Sequence, residues 1–178
     1  MHVLVAGPIA AGKTTFCTLL ADQIGATRLS VRQALLDALG AAELTRHNLQ
    51  ERGAALDQRT MGRWLLHMIN EREEFTPSLV IDSLRTRRQT LPLLDNLSSC
   101  VLIYLDANDG TRRQRYAHAA ASDPIKATVS YVDAINHPTE REVVHLKPLA
   151  HLALDSNDLK PGEAVTEAIN QLGLLKGP

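Results

Sequence analysis

One stretch near the start of the chain constrains the fold more than any other. Residues 7–14 read GPIAAGKT and match the pattern G-x-x-x-x-G-K-[ST]. That pattern forms a loop between a strand and a helix, and the backbone N–H groups of the loop surround a phosphate. The apolar residues 2–6 predict a buried strand before the loop, and residues 16–21 have helical spacing after it. The motif therefore lies in the strand–loop–helix context that a phosphate-binding loop requires.

Each specified position of this loop has a chemical reason. Gly7 and Gly12 allow the backbone to turn tightly. Lys13 can reach the β- and γ-phosphate oxygens of a nucleotide, and the Thr14 hydroxyl can ligate the Mg²⁺ that bridges them. The predicted nucleotide-binding residues are Gly7, Ala10, Ala11, Gly12, Lys13, Thr14 and Thr15. The alternative is an ordinary turn that contains glycine.

Composition excludes several classes of protein. A length of 178 residues predicts one domain, and 3% aromatic residues mean that aliphatic side chains fill most of the core. A formal net charge of −1 provides no overall attraction to nucleic acid or to a membrane. Cys17 and Cys100 are the two cysteines, which favours reduced thiols over a disulfide framework. We therefore expect a soluble cytoplasmic protein with no membrane partner, and its oligomeric state is open.

Strand and helix patterns alternate along the whole chain. The predicted strands are residues 2–6, 26–30, 78–82, 101–106 and 151–155. The predicted helices are residues 16–21, 31–39, 45–72, 86–97, 109–118, 128–136, 139–146 and 162–175. This alternation predicts an α/β fold in three layers, with a five-stranded parallel sheet and helices on both faces. Residues 1–178 form one domain in this prediction, with an acceptor-binding helical segment at about 31–75 and a lid at about 108–126.

Glycine and proline predict where some of these helices end or break. Gly40 ends the helix that begins at residue 31, and Thr76-Pro77 ends the long helical region that follows. That region is predicted as two helices broken near Gly53. Pro92 must lie in the first turn of its helix or kink it. Residues 119–124 are small and polar and end in a proline, which predicts a mobile loop in the lid.

A carboxylate follows the third predicted strand. Residues 78–82 read SLVID, an apolar run ending in Asp82, and Arg85 lies three residues on. This is the general form of the element whose aspartate binds Mg²⁺ directly or through water. Because the carboxyl ends of parallel strands meet at one edge, Ser30, Asp82 and Arg85 should lie beside the phosphate-binding loop. The alternatives are that Asp82 caps the next helix and that Arg85, with its basic neighbours, is solvated.

On these residues the chain resembles the P-loop kinases of the nucleoside-monophosphate-kinase type, including dephospho-coenzyme A kinase-like enzymes. The resemblance is carried by the loop at 7–14, the strand ending at Asp82, the pair Arg112-x-x-Arg115 and the strand before Asn157. A finer resemblance concerns a subgroup of bacterial and phage kinases, some of which phosphorylate hydroxymethylated pyrimidines in DNA. The stretches that carry it are residues 46–53, Gly62-x-Trp64 and Thr139-Glu140.

The resemblance implies roles for several residues. It implies ATP on Lys13 and Thr14, and a metal-binding and proton-accepting role for Asp82. It implies acceptor binding by Arg85 and a phosphate clamp formed by Arg112 and Arg115. The chain departs from the family in two places. Ser30-Val31-Arg32 stands where many small-molecule kinases have an aspartate, and Ala117-His118-Ala119 replaces a further lid arginine.

Polar residues of the segment 45–72 are candidates for contact with the acceptor. They are Arg46, Gln50, Asp57 and Arg59. The alternative is that they form the solvated face of an amphipathic helix. Asp57 is also the second candidate base after Asp82. Trp64 has helical spacing with the apolar residues and is predicted to lie in the core rather than to stack on a base.

Together these features predict an ATP- and Mg²⁺-dependent kinase. The predicted acceptor is a nucleoside, a nucleotide or a nucleobase-derived molecule, so the expected partner is a nucleotide-type small molecule. The first alternative is a kinase of hydroxymethylated pyrimidine bases in DNA. The second is a nucleotide-hydrolysing switch ATPase, which would turn over ATP without an acceptor.

Overall fold

The computed structural model describes residues 1–39, 46–72, 78–121 and 127–175. In this part of the chain five parallel strands form one sheet in the order β2-β3-β1-β4-β5. The strands are β1 (His2–Ala6), β2 (Thr27–Ser30), β3 (Leu79–Leu84), β4 (Cys100–Asp106) and β5 (Leu152–Asp155). The predicted α/β fold with a five-stranded parallel sheet is therefore confirmed.

Helices follow the strands in the predicted alternation. They are α1 (Lys13–Ile24), α2 (Val31–Leu39), α3 (Arg46–Thr60), α4 (Trp64–Asn70), α5 (Arg87–Asn96), α6 (Asp109–Ala120), α7 (Tyr131–Asn136), α8 (Pro138–Glu142) and α9 (Pro161–Leu172). A 3₁₀ helix, Val143–Leu149, continues directly from α8. The helix predicted over 139–146 is thus divided, and Pro148 lies in its 3₁₀ part. Within the described ranges, no helix is long and apolar enough to cross a membrane.

The sheet is buried on both faces, as a parallel sheet requires. Successive residues of β1 point to opposite sides, so Leu4 and Ala6 belong to one apolar cluster and Val3 and Val5 to the other. The first cluster includes apolar residues of α2 to α5, and the second includes those of α1 and α9. Cys17 is buried in the second cluster, and both cysteines are free thiols.

The predicted break near Gly53 is wrong. Helix α3 runs through Gly53 and ends at Thr60, and the chain turns at residues 61–63 before α4 begins. A Cβ atom at Gly53 would lie 2.8 Å from Cδ2 of Leu35. Glycine is therefore used here to let α3 approach α2 closely, and not to end the helix.

The real break is at Gly62, which meets the backbone of α5. Gly62 has a φ of +74°, and a Cβ atom there would lie 1.8 Å from the carbonyl oxygen of Arg88. Pro92 is the sixth residue of α5, so of its two predicted placements, in the first turn or at a kink inside the helix, the first is excluded. Because proline has no N–H, it cannot donate the helical hydrogen bond to Arg88. The α3–α4 turn packs against this carbonyl.

Replacing Gly62 by alanine is expected to destabilise the protein. An alanine would have a left-handed backbone conformation and would clash with the Arg88 carbonyl, so we expect the free energy of unfolding to fall by at least about 1–3 kcal/mol. Urea unfolding measures this change. Gly162→Ala is the control, because a Cβ atom at Gly162 has no neighbour within 4 Å. Equal stability of both variants would show that the turn relaxes around the new side chain.

Several predicted helix ends agree with the structure. Ser30 caps α2, since its Oγ accepts from Gln33 N at 3.3 Å, and Gly25 ends α1 in the left-handed conformation. The Asn108 side chain caps α6 by accepting from Thr111 N at 2.8 Å. The predicted stops at Gly40 and Thr76-Pro77, and residues 122–124 of the predicted lid loop, lie outside the described residues. Ala119 and Ala120 still belong to α6.

Candidate active site

A cavity of about 1040 Å³ opens at the carboxyl ends of the central strands. The phosphate-binding loop forms one wall, and the ends of β2 and β3 form another. Residues of α3 and α8 complete the lining. The cavity therefore lies at the edge of the sheet where ligands bind in open α/β folds.

Lys13 lies inside the phosphate-binding loop. Its Nζ donates to the carbonyl oxygens of Gly7 at 2.8 Å and Pro8 at 2.6 Å, and the residue is 5% exposed. Burial, reinforced by the nearby Arg85 guanidinium, lowers the pKa of Lys13 to about 7. Gly12 has a left-handed conformation and caps α1, so the first N–H groups of that helix face the loop. The loop thus combines a lysine with a helix N-terminus, which is the arrangement that binds phosphate.

Asp82 is presented by an irregularity in the sheet. Val5 pairs with Asp82 but Ala6 pairs with Leu84, so Ser83 is an extra residue in β3. Ser83 has a φ of +76°, a conformation that non-glycine residues seldom adopt. Such bulges are frequent beside active sites, where they redirect a side chain. β3 also continues two residues past Asp82, so the prediction that the strand closes on this carboxylate is wrong by that much.

The Asp82 carboxylate is buried, and its two oxygens have different partners. Oδ1 accepts from the Ser83 hydroxyl at 2.6 Å, and Oδ2 accepts from Arg28 Nη2 at 2.5 Å. Burial by itself raises the pKa of Asp82, but the bonds from Ser83 and Arg28 outweigh it, so the pKa lies below its usual value. Asp82 does not cap α5, because the Thr86 hydroxyl does so by accepting from Gln89 N at 3.2 Å.

Arg85 is tied to the phosphate-binding loop through Glu140. One oxygen of the Glu140 carboxylate accepts from the Arg85 guanidinium, and the other accepts from Ile9 N at 3.1 Å. The Glu140 side chain is 4% exposed and the Arg85 side chain 21%. Glu140 therefore positions Arg85 at the cavity wall next to the loop.

The predicted lid arginines are in different places. Arg115 lines the cavity and donates to Ser156 Oγ at 2.9 Å and to Ser156 O at 2.8 Å. Ser156 Oγ in turn donates to Ala11 O at 3.0 Å, which links β5 to the phosphate-binding loop. Arg112 lies outside the cavity lining and pairs with Asp109 at 3.4 Å. The structure therefore brings one of the two arginines to the loop, and the clamp by both stays a prediction.

Comparison with known proteins identifies the fold. A shikimate kinase from Bacteroides thetaiotaomicron is 13% identical, with a TM-score of 0.67 over 97% of this chain and 98% of that one. A shikimate kinase from Acinetobacter baumannii in complex with shikimate is 18% identical, with a TM-score of 0.61 over 97% and 92%. A gluconokinase from Sinorhizobium meliloti is 14% identical, with a TM-score of 0.52 over 97% and 91%.

The chain has the fold of the P-loop kinases. No protein-family model matches the sequence. No curated protein matches it either. At these identities the likeness concerns the fold, so any activity must be argued from the site.

The cavity of this P-loop kinase fold gathers most of the predicted site residues. Those that line it are Ala10, Ala11, Gly12, Lys13, Thr14, Thr15, Gln50, Asp57, Asp82, Arg85 and Arg115. Gly7 contributes its carbonyl to Lys13. Arg59 is exposed outside the lining, as part of the solvated face. Arg46 begins α3, but its side chain is not among the described parts of the chain.

Sequence reasoning missed four polar residues of the site. They are Arg28, Ser83, Glu140 as a partner of Arg85, and Ser156. Ser156 follows the last strand directly, so the rule that ligands bind at carboxyl ends of strands could have identified it. Arg28 and Glu140 have no such signal, because each meets its partner more than fifty residues away along the chain.

Asp57 is a buried structural carboxylate at the edge of the cavity. Its oxygens accept from Trp64 Nε1 at 2.6 Å and from Gln89 Nε2 at 2.7 Å, and the residue is 5% exposed. Burial raises the pKa of Asp57 in spite of these bonds. Asp57 thus joins α3, α4 and α5, and the alternative that it belongs to a solvated helix face is wrong. Trp64 is 7% exposed and belongs to the core, as predicted.

Replacing Asp57 by asparagine is expected to affect stability more than activity. The amide would retain one acceptor and bring a donor toward Trp64 or Gln89, so the free energy of unfolding should fall by about 1–3 kcal/mol. Because both carboxylate oxygens are held by buried, uncharged side chains of α4 and α5, kcat should stay close to the wild-type value. Urea unfolding and steady-state kinetics test this. Loss of kcat with unchanged stability would instead make Asp57 a catalytic residue.

The residues around Lys13 fit a Mg²⁺ ion shared with a nucleotide. The Thr14 hydroxyl and the Asp82 carboxylate line the same cavity, and hydroxyl and carboxylate oxygens are ligands that Mg²⁺ prefers. Among the described residues, no group of three His, Cys, Asp or Glu could form an all-protein metal site.

Proposed function

We propose that this protein is an ATP-dependent kinase that transfers the γ-phosphoryl group to a hydroxyl of a small acceptor that carries an oxyanion. The observation that carries the proposal is the meeting of Lys13 and Asp82 in one cavity, which extends beyond the phosphate-binding loop toward α3. Lys13 is suited to bind the phosphates of the donor. The Asp82 carboxylate is suited to accept the proton of the acceptor hydroxyl. The kinase fold of the structural neighbours supports this reading.

On the donor side, ATP would be held by the loop residues 10–15. Lys13 would move from the Gly7 and Pro8 carbonyls to the phosphate oxygens, where its charge is favoured. Thr14 and Asp82 would hold Mg²⁺, which neutralises negative charge on the phosphates when bound. Arg115, which donates to Ser156, would stabilise charge on the transferred group. Catalysis would then depend on positioning and electrostatics, as phosphoryl transfer requires.

On the acceptor side, the charge of the lining supports an anionic substrate. Seven basic side chains line the whole cavity against four carboxylates, and five basic ones remain when Lys13 and Arg115, which are assigned to the donor, are set aside. The basic ones are Lys13, Arg28, Arg32, Arg85, Arg87, Arg88 and Arg115, and the acidic ones are Asp57, Asp82, Glu140 and Glu142. Nucleotides carry hydroxyl and phosphate groups, and shikimate and gluconate carry hydroxyl and carboxylate groups. Both classes fit this charge, so the nucleotide-type acceptor expected from the sequence stands beside hydroxy acids.

Two alternatives are also testable. The resemblance to kinases of hydroxymethylated pyrimidines in DNA motivates one, and the phosphate-binding loop alone would be compatible with a switch ATPase. The structural neighbours named above are kinases of small molecules, which favours neither alternative.

A labelled-ATP transfer screen tests the proposal. The acceptors are nucleosides, mononucleotides, dephospho-coenzyme A, shikimate, gluconate, and DNA with normal or hydroxymethylated bases. We expect label on a small acceptor with an oxyanion and a slower release of free phosphate. Label on DNA alone would favour the DNA alternative, and ATP hydrolysis without any labelled acceptor would favour the switch ATPase.

A further inference from the structure

Arg28 is a basic side chain that lines the cavity. It belongs neither to the predicted nucleotide-binding residues nor to the predicted acceptor-binding residues. It lies on β2, and its Nη2 donates to Asp82 Oδ2 at 2.5 Å. The Arg28 side chain is 30% exposed, whereas the Asp82 side chain is 2% exposed. The guanidinium therefore joins a buried carboxylate to the cavity.

The ion pair is not required to hold the two strands together. β2 and β3 are already paired along their backbones, with Arg28 beside Val80 and Ser30 beside Asp82. Removing Arg28 would leave the buried Asp82 carboxylate without its charged partner, so a loss of stability in an Arg28 variant would arise at Asp82 and not from unpaired strands. A guanidinium has five N–H donors in a planar fork, so bonding to Asp82 leaves donors for a second oxyanion. Arg28 is thus chemically suited to exchange one carboxylate for another anion.

The acceptor side of the cavity is where such an anion would arrive. Ser30 and Arg32 stand near the end of β2, and Ser30 is engaged in capping α2. Ser30 pairs with Asp82 on the adjacent strand, so this carboxylate lies beside the place where many small-molecule kinases have an aspartate. Arg28 covers Oδ2 of this carboxylate, while Ser83 holds Oδ1.

We propose that Arg28 leaves Asp82 and binds an oxyanion of the acceptor, either a carboxylate or a phosphate, in its place. This inference rests on the proposed kinase function and specifies its substrate class. When Arg28 moves to the acceptor, Asp82 Oδ2 becomes available to the acceptor hydroxyl. Water carries no oxyanion and does not draw Arg28 away, so the same exchange favours transfer to the acceptor over hydrolysis of ATP.

Binding measurements test the exchange because two substitutions should act in opposite directions. Isothermal calorimetry gives the Kd of shikimate, gluconate and thymidine monophosphate, with a non-hydrolysable ATP analogue filling the phosphate-binding loop and no divalent metal added. Arg28→Met should raise the Kd of the preferred probe by about ten-fold or more, and Arg28→Lys by less. Asp82→Asn should lower it several-fold, because a competing carboxylate has been removed. A preference for the first two probes assigns the oxyanion as a carboxylate, and a preference for the third as a phosphate.

Arg52→Met is the matched control, since Arg52 is an exposed arginine on α3 outside the cavity lining. The Kd of the preferred probe for this variant should equal the wild-type value. Circular dichroism verifies the fold of each variant. If Arg28→Met does not fold, the Kd values of Arg28→Lys and Asp82→Asn test the proposal. An unchanged Kd in both Arg28 variants would overturn the proposal. Weaker binding in both the Arg28 and Asp82 variants would assign the pair a structural role and overturn it as well.

Failure of all three probes to bind the wild-type protein would also overturn the inference. The kinase function is judged separately, by transfer of label from ATP. Normal probe binding with the predicted opposite shifts, but no label on any acceptor, would refute the kinase function and leave the oxyanion site at Arg28 in place.

Discussion

Lys13→Ala is expected to abolish phosphoryl transfer, with a fall in kcat/KM of at least about a thousand-fold. Removing one preorganised donor from a developing charge costs about 10²–10³ in rate. Lys13 also carries a positive charge at a position that is 5% exposed, where water screens its attraction to a phosphate only weakly, so its loss should cost more than the loss of one neutral donor. The substitution leaves the Gly7 and Pro8 carbonyls without this donor, but the helix that follows the loop should remain intact.

Transfer of label from ATP measures the effect, and circular dichroism verifies that the variant is folded. Lys147→Ala is the control. Lys147 is half-exposed and pairs with Asp106 at 2.7 Å, and it lies outside the cavity lining. Its removal should leave kcat/KM within about two-fold, since exposed ion pairs contribute little. Retained turnover in Lys13→Ala would exclude the phosphate-binding loop from the mechanism.

Asp82→Asn is expected to lower kcat by about 10²–10⁴, the range for loss of a general base. Asparagine has nearly the same size and can still accept from Ser83, but it lacks the charge that accepts a proton and attracts Mg²⁺. The affinity for ATP should change far less, because the loop residues 10–15 hold the nucleotide. Kinetics for transfer and calorimetry for a non-hydrolysable ATP analogue separate the two effects.

The control for this change is Asp95→Asn, at an exposed position on α5. An ordinary kcat in Asp82→Asn would make Asp82 a structural residue that neutralises Arg28. A parallel loss of ATP affinity and kcat would limit Asp82 to its donor-side role with Mg²⁺ and remove it as the base. Loss of kcat together with tighter binding of an anionic acceptor is the result that joins this prediction to the exchange at Arg28.

Local patterns were enough to predict the phosphate-binding loop and the order of the elements. The loop motif occupies eight consecutive residues, and strands and helices have their own periods of apolar residues. The caps at Ser30 and Asn108 are also local, since each involves a residue three positions away. Such features depend on neighbours in the chain and can therefore be read without knowing the fold.

Glycine was harder to interpret, because its role depends on what packs against it. Gly53 and Gly62 both lie in the helical region, and the sequence alone favoured the first as the break. In the structure Gly53 makes room for Leu35, and Gly62 makes room for the Arg88 carbonyl. Both neighbours come from other helices, so no pattern within residues 45–72 distinguishes a packing glycine from a turning one.

The sequence by itself determined the phosphate-binding loop, and it placed Asp82 and Arg85 at the same edge of the sheet. Only the tertiary structure decided the partners of these side chains. Arg28 meets Asp82 across 54 positions, Arg85 meets Glu140 across 55, and Arg115 meets Ser156 across 41. Contacts over such separations depend on strand order and helix packing, which no local pattern encodes. Eight consecutive residues are therefore enough to predict the loop that binds the donor phosphate, whereas the charged side chains on the acceptor side come together only in the folded chain.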